Sequence, residues 1–298
     1  KTGLTADKFA DYFAEICSRS YHDEKFELSM VEFEKYYGNL SEREKNHDTT
    51  TTARDFLDDL CNSMCLMYLE GGKYHFTHRS FQEYFCAVHF SKQKDRNLQS
   101  IGNFFERMKN RMSEDNTFQM LYDMIPEKVE EYVFIPYLGD LYAKCDAEEG
   151  FWTFLELMHS KLCYSDGEVE DYVSNYPVSY MFKFIRGLCK MPWNATNDLK
   201  LPCIDYLVTR EYVYEEHRNG ESKLVDVGTI SAEYIEEYGM PDHAGWYAEF
   251  EVEEIRKDPD EYGELLKALD DDECPLKKEY MTVRDYYQSL LEKLKPTG

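Results

Sequence analysis

Two adjacent glycines, Gly71 and Gly72, constrain this chain more than any other feature, because they lie between two short runs with strand character. Cys65 to Leu69 and Lys73 to Thr77 are rich in apolar and aromatic residues, and Glu70-Gly71-Gly72 supplies the backbone freedom of a tight reversal. The spacing predicts a β-hairpin. It runs straight into Ser80-Phe81-Gln82-Glu83, which reads as a helix capping box, with Phe81, Tyr84, Phe85 and Val88 on one helical face.

Three helical patterns precede the hairpin. Phe9, Tyr12, Phe13 and Ile16 recur at helical spacing behind Thr5 as N-cap, with Asp7 in the first turn. Ser29 and Glu32 form a capping-box pair ahead of Phe33, Tyr36 and Tyr37, and Gly38-Asn39 is a stop signal. Ser41 to Thr52 is polar, carries four consecutive threonines and reads as a loop, after which Phe56, Leu57, Leu60 and Met64 mark a third helix. Helices packed on a two-stranded wing make a winged-helix arrangement, so residues 1–95 are expected to form one such domain, followed by a linker from Gln93 to Gln99.

Residues 96–298 are expected to form a second, mostly helical domain with a few strands, making the whole chain mainly α (α+β). Helical patterns run through Ile101–Met112, Phe118–Ile125, Val129–Ala143 and Phe151–Leu162. Val208–Tyr214 and Lys223–Val227 flank Arg218-Asn219-Gly220-Glu221 as a second hairpin, and Ala248–Ile255 alternates like a strand. Thr282 to Asp285 reads as a capping box opening a last helix through Tyr286, Leu290, Leu291 and Leu294. No fixed-period repeat is present, which argues against a solenoid.

Charge narrows the function. Fifty-nine acidic residues against 34 basic ones give a net charge of -25, a field that repels phosphate backbones and anionic membranes. Nucleic acid is a disfavoured partner. No apolar run approaches a membrane span, and the start lacks a signal-peptide layout, so a cytoplasmic location is expected. Nine cysteines, an odd and scattered set, fit reduced thiols better than a disulfide framework. Lys1 opens almost directly into a helical pattern, which suggests that further chain lies upstream.

The string Tyr74-His75-Phe76-Thr77-His78-Arg79-Ser80-Phe81-Gln82-Glu83-Tyr84-Phe85-Cys86-Ala87 resembles the motif that closes the winged-helix domain of NACHT-family STAND NTPases. The resemblance covers about the first third of the chain. It implies a C-terminal part, of bacterial type because nothing resembles leucine-rich repeats, made of a winged helix and a short sensor region. It further implies an upstream NACHT nucleotide-binding domain in the same chain as partner, ADP or ATP with Mg in the full-length protein, and a switch held off until a ligand, a protein or another molecule, is sensed at the C-terminal domain. A role in anti-phage defence or innate immunity, with self-assembly into a homo-oligomer on activation, belongs to the same implication.

In that family the motif histidine, here His78, reaches the nucleotide phosphates, and Arg79 is placed to reinforce it. An imidazole at a helix start, beside backbone N–H groups, suits that chemistry. The plainer reading has His78 hydrogen-bonding at a strand-to-helix junction. Phe76, Phe81, Tyr84 and Phe85 read as core, and Gln82 and Glu83 read as capping residues before interdomain contacts.

No Gly-x-x-x-x-Gly-Lys-Ser/Thr string and no Mg-binding acidic strand occurs, so no catalytic residue is assigned and any ATPase activity falls to upstream residues. His75 with His78 and Cys61 with Cys65 lack correctly spaced partners, so no metal is expected. The alternative function is a winged-helix transcription regulator with a fused ligand-binding domain. Asp55, Asp58 and Asp59 against the single Arg54 on its reading helix, Thr52 to Met64, argue against it. A hydrolase-like effector in residues 100–298 is the weakest reading.

Overall fold

The structure is a computed structural model that describes residues 2–40, 51–108, 115–145, 149–159, 161–166, 171–174, 179–191, 212–218, 221–228, 247–260 and 262–295. The predicted loop Ser41–Thr52 lies outside these residues but for its last two positions. The chain divides into two compact units, Lys1–Val133 and Phe134–Gly298.

Helix α1 (Ala6–His22) opens the first unit, capped by the Thr5 side chain as its sequence predicts. Strand β1 (Glu27–Leu28) leads into α2 (Met30–Gly38), where the Ser29–Glu32 capping box forms in both directions: Ser29 N–H donates to Glu32 Oε2 (2.9 Å), and Glu32 N–H donates to Ser29 Oγ (3.2 Å). Helix α3 (Ala53–Asn62) starts on the side chain of Thr52. Strands β2 (Met67–Glu70) and β3 (Lys73–Phe76) then form the predicted hairpin, with Gly71 and Gly72 at φ 58° and 81°, left-handed values that suit glycine. The sheet gains a strand the sequence did not announce: β1 pairs antiparallel with β3, giving the order β1-β3-β2.

The core of this unit lies between α1, α2, α3 and the sheet. Phe13, Ile16, Leu28, Phe33, Phe56 and Leu60 are fully buried, and Phe9 stacks on Phe56 with centroids 4.4 Å apart. Each such side chain stabilises the fold by roughly 1.5–3 kcal/mol through the water it sheds.

Helix α4 (Arg79–Ser91) follows the hairpin and packs along α1. Its start corrects the sequence reading. The N-cap is His78, two residues ahead of Ser80, because Phe81 N–H already donates to His78 O and places Arg79 and Ser80 inside the first turn. Its buried face also differs, with Gln82, Glu83, Cys86 and Ala87 inside while Tyr84 is exposed. The expected linker shrinks to Lys92–Lys94, since α5 (Asp95–Arg107) begins at Asp95, and its polar first turn hid a stripe of Leu98, Ile101, Gly102 and Phe105. Helices α6 (Thr117–Met124) and α7 (Pro126–Val129) come next, then a π-turn at Glu130–Phe134 and α8 (Ile135–Lys144).

In the second unit α8, α9 (Gly150–Met158), α10 (Tyr180–Leu188) and α13 (Pro275–Lys293) enclose Leu138, Phe154, Leu155, Phe182, Ile185 and Val283. The predicted Phe151–Leu162 helix ends at Met158, because Lys161–Asp166 is strand β4. It pairs antiparallel with β5 (Asp171–Ser174) and β8 (Tyr247–Glu251). The second predicted hairpin exists as β6 (Tyr212–Arg218) and β7 (Glu221–Gly228), with Val208 to Glu211 outside the described residues. The strand expected to reach Ile255 stops at Glu251, where α11 (Val252–Lys257) begins, and α12 (Gly263–Asp270) follows. Thr282 opens nothing: α13 starts about two turns earlier, behind Cys274, with Pro275 at the first helical position. The chain is thus mainly helical with small antiparallel sheets, and none of its described helices is long and apolar enough to cross a membrane.

Candidate functional site

The junction between β3 and α4 carries the sequence motif. Thr77 holds the hairpin end, its N–H donating to Leu66 O (3.0 Å) and its hydroxyl to Cys65 O (2.8 Å). His78 then caps α4 through its ring. Nδ1 accepts from Ser80 N–H at 3.2 Å and lies 2.7 Å from Ser80 Oγ. A nitrogen accepting from a backbone N–H carries no proton of its own, so Ser80 O–H donates to it too and the ring proton sits on Nε2. The side chain is exposed, and Nε2 makes no hydrogen bond among the described residues.

The neighbours of His78 are committed inward. Arg79 Nε lies 3.0 Å from Glu83 Oε1, its Nη2 3.4 Å from Asp115 Oδ2, and its guanidinium sits 5.0 Å above the Phe26 ring. Gln82, with no exposed surface, donates to Ser20 Oγ (2.9 Å) and Lys25 O (2.8 Å), tying α4 to the turn after α1. The sequence reading of Gln82 and Glu83 as capping residues is therefore corrected: both are buried cross-links. Burial, reinforced by Asp115, raises the Glu83 carboxyl above its usual range despite Arg79. His75 stacks on Tyr68 (5.3 Å) and does not join His78 in a ligand set; among the described residues no three His, Cys, Asp or Glu side chains gather as metal ligands.

A second polar centre lies in the core of the second unit. Glu279 of α13 is fully buried, with Oε1 2.7 Å from His159 Nε2 and Oε2 2.9 Å from Arg186 Nε. His159 is also fully buried, and its Nδ1 has no hydrogen-bond partner, which the ring tolerates best when the proton is on Nε2 and Nδ1 is only an idle acceptor. Phe154 and Phe182 pack edge-on to the ring at 5.8 and 6.2 Å. Sequence reasoning missed this triad. Its only signal is a charged residue on an otherwise apolar stripe: Arg186 beside Phe182 and Ile185, Glu279 beside Leu276 and Val283.

A shallow groove of about 560 Å³ lies on the same unit between α9, α11 and α12. Arg256 crosses it, bonded to Glu156 Oε1 (2.6 Å) and to Glu149, with its guanidinium 5.7 Å from the Trp152 ring. Glu253 and Asp270 complete an acidic rim. The arrangement offers an aromatic floor under exchangeable ion pairs, a surface suited to charged partners.

Residues 122–298 match the family model described as the Short NACHT-associated C-Terminal domain, family 14. No curated protein and no solved structure matches the chain.

Proposed function

Because this chain belongs to the short NACHT-associated C-terminal domain family, family 14, we propose that it is the regulatory and sensor part of a NACHT-type STAND signalling NTPase, following an upstream NACHT domain in the same polypeptide. The first unit acts as a winged helix that folds over a nucleotide, and the second senses a ligand, a protein or another molecule, whose binding shifts the switch from closed to open. Defence signalling in a bacterial cytoplasm, with homo-oligomer formation on activation, is the setting this reading carries. Nucleotide hydrolysis, with ADP or ATP and Mg, belongs to the upstream domain.

The observation that carries the reading is the family match across the second unit, joined to the geometry of His78 at the end of the hairpin. With Nδ1 engaged by Ser80, the ring presents Nε2–H as a donor, the polarity a nucleotide phosphate requires. Arg79 supports this indirectly, since its guanidinium is held by Glu83 and Asp115 and braces the first turn of α4. The transcription-regulator alternative is disfavoured by α3, whose Asp55 and Asp59 serve as helix-start and buried hydrogen-bond groups and leave Arg54 as the lone cation.

The test uses the full-length parent and measures co-purified ADP and spontaneous activation. His78→Ala removes both the cap and the donor, whereas His78→Asn keeps a capping side chain and removes the imidazole. Loss of ADP in both variants supports the phosphate contact. Retention of ADP in His78→Asn would reduce His78 to a helix cap.

A further inference from the structure

On a chain of net charge -25, one cavity of the first unit is lined without a single carboxylate. It measures about 360 Å³ and is bordered by the ends of α1 and α4 and by one face of α5. That volume falls at the lower end of small-molecule sites. Its aromatic wall is Phe104, with His22 stacked on it nearly parallel (5.3 Å, 11°) and Phe90 edge-on at 6.3 Å. Along the same face of α5 as Phe104, the side chains of Asn97, Ser100 and Arg107 make no hydrogen bond or ion pair among the described residues.

Three carboxylates of α1 and the turn after it are paired: Glu15 is bound by Arg19 (2.7 Å), Asp11 by Lys92, and Asp23 accepts from the Tyr36 hydroxyl (2.8 Å) and lies 3.4 Å from His22 Nδ1. His89, whose Nε2 meets the Gln93 amide at 3.0 Å, is held toward its neutral form by burial. The cavity therefore combines a guanidinium fork, the neutral hydrogen-bonding side chains of Ser18, Gln93, Asn97 and Ser100 and a flat ring wall, in a protein that is otherwise strongly anionic. A planar fork of donors matches a carboxylate or phosphate, and the ring wall matches a flat hydrophobic body.

We infer that this cavity is a binding site for a small aromatic anion, with Arg107 holding its charged group and Phe104 and His22 its ring. The site is independent of His78 and of the nucleotide reading above, and it lies within the unit that carries the motif.

The experiment titrates the intact polypeptide with phenyl phosphate and, separately, inorganic phosphate, following the imidazole proton resonances of His22 and His89 by NMR. Phenyl phosphate is expected to shift both histidines saturably and to bind about tenfold or more tightly than phosphate, the ring wall supplying the difference. Arg107→Glu should weaken phenyl phosphate by about tenfold or more, and Ser100→Trp, which fills the cavity, should abolish the shifts while circular dichroism stays unchanged. Unshifted histidines at millimolar phenyl phosphate, equal affinity for the two anions, or wild-type binding by Arg107→Glu would each overturn the assignment.

Discussion

Truncating Glu279 to alanine should be among the most damaging single changes in the second unit. The carboxylate is fully buried and meets two buried partners at 2.7 and 2.9 Å, so its removal takes away the anion that the Arg186 guanidinium and the His159 ring share. Breaking a buried ion pair from one side costs about 3–5 kcal/mol. For a unit of this size each kcal/mol moves the midpoint by roughly 2–4 °C, so Glu279→Ala should lower it by roughly 6–20 °C. Glu279→Gln keeps the volume and one acceptor and should cost about 1–3 kcal/mol. Trp152, Trp193 and Trp246 all fall in the second unit, so urea unfolding followed by tryptophan fluorescence reads it selectively. A triple replacement, His159→Leu, Arg186→Met and Glu279→Leu, removes these three side chains together and should recover much of the loss, since apolar groups of similar volume substitute well for buried ion pairs. A Glu279→Ala penalty below about 1 kcal/mol would refute the reasoning, because it would mean the partners find water or other acceptors.

Gly102→Ala should destabilise the first unit by about 1–3 kcal/mol, because a Cβ there meets Val133 Cγ1 at 2.4 Å, and Val133→Ala in the same chain should restore most of it in thermal melts. Gln82→Leu should cost about 1–3 kcal/mol by taking the amide donor away from the Lys25 carbonyl and from the Ser20 hydroxyl, which keeps its bond to Cys17 O; a melt within error of wild type would contradict that. The Ser29 N–H and hydroxyl, with Lys25, hold the Glu32 carboxyl down at about 2. A depressed carboxyl stabilises the fold above the ordinary carboxylate range and loses that effect as pH falls through about 2. The difference in melting temperature between wild type and Glu32→Gln should therefore be largest near neutrality and shrink progressively below about pH 4, and a difference independent of pH would count against the capping box as its source.

The first unit was largely legible in sequence because its signals are local. Thr5, Ser29 and Thr52 cap helices where short polar side chains precede apolar periodicity, and Gly71-Gly72 adopts the left-handed turn that glycine permits. Where reading failed, a competing contact overrode the expected pattern. Ser80 and Glu83 have capping-box spacing, yet His78 takes the cap and Glu83 turns inward to Arg79. Strand β1 is only two residues long and becomes a strand by pairing with β3, which no periodicity announces. The Thr282–Asp285 pattern fell inside a helix whose start is set by Pro275. In the second unit the His159–Arg186–Glu279 triad joins residues 27 and 93 positions apart, so only folding brings them together. The motif names His78 as the nucleotide-facing residue with Arg79 beside it, while the capping geometry of the one and the inward ion pairs of the other come only from the structure.

The joint between hairpin and helix has no slack in it. Phe76 closes β3, Arg79 opens α4, and of the two residues between them Thr77 is fastened to the strand-side backbone and His78 to the helix-side backbone. Such a joint transmits rotation instead of absorbing it. The exposed face of the hairpin, where Tyr68 and Leu69 stand in solvent, is thereby joined to the first turn of α4 and its imidazole by two residues that are both held. A single glycine inserted after Thr77 would replace that rigid joint with a loose hinge between two elements that both pack on Phe13.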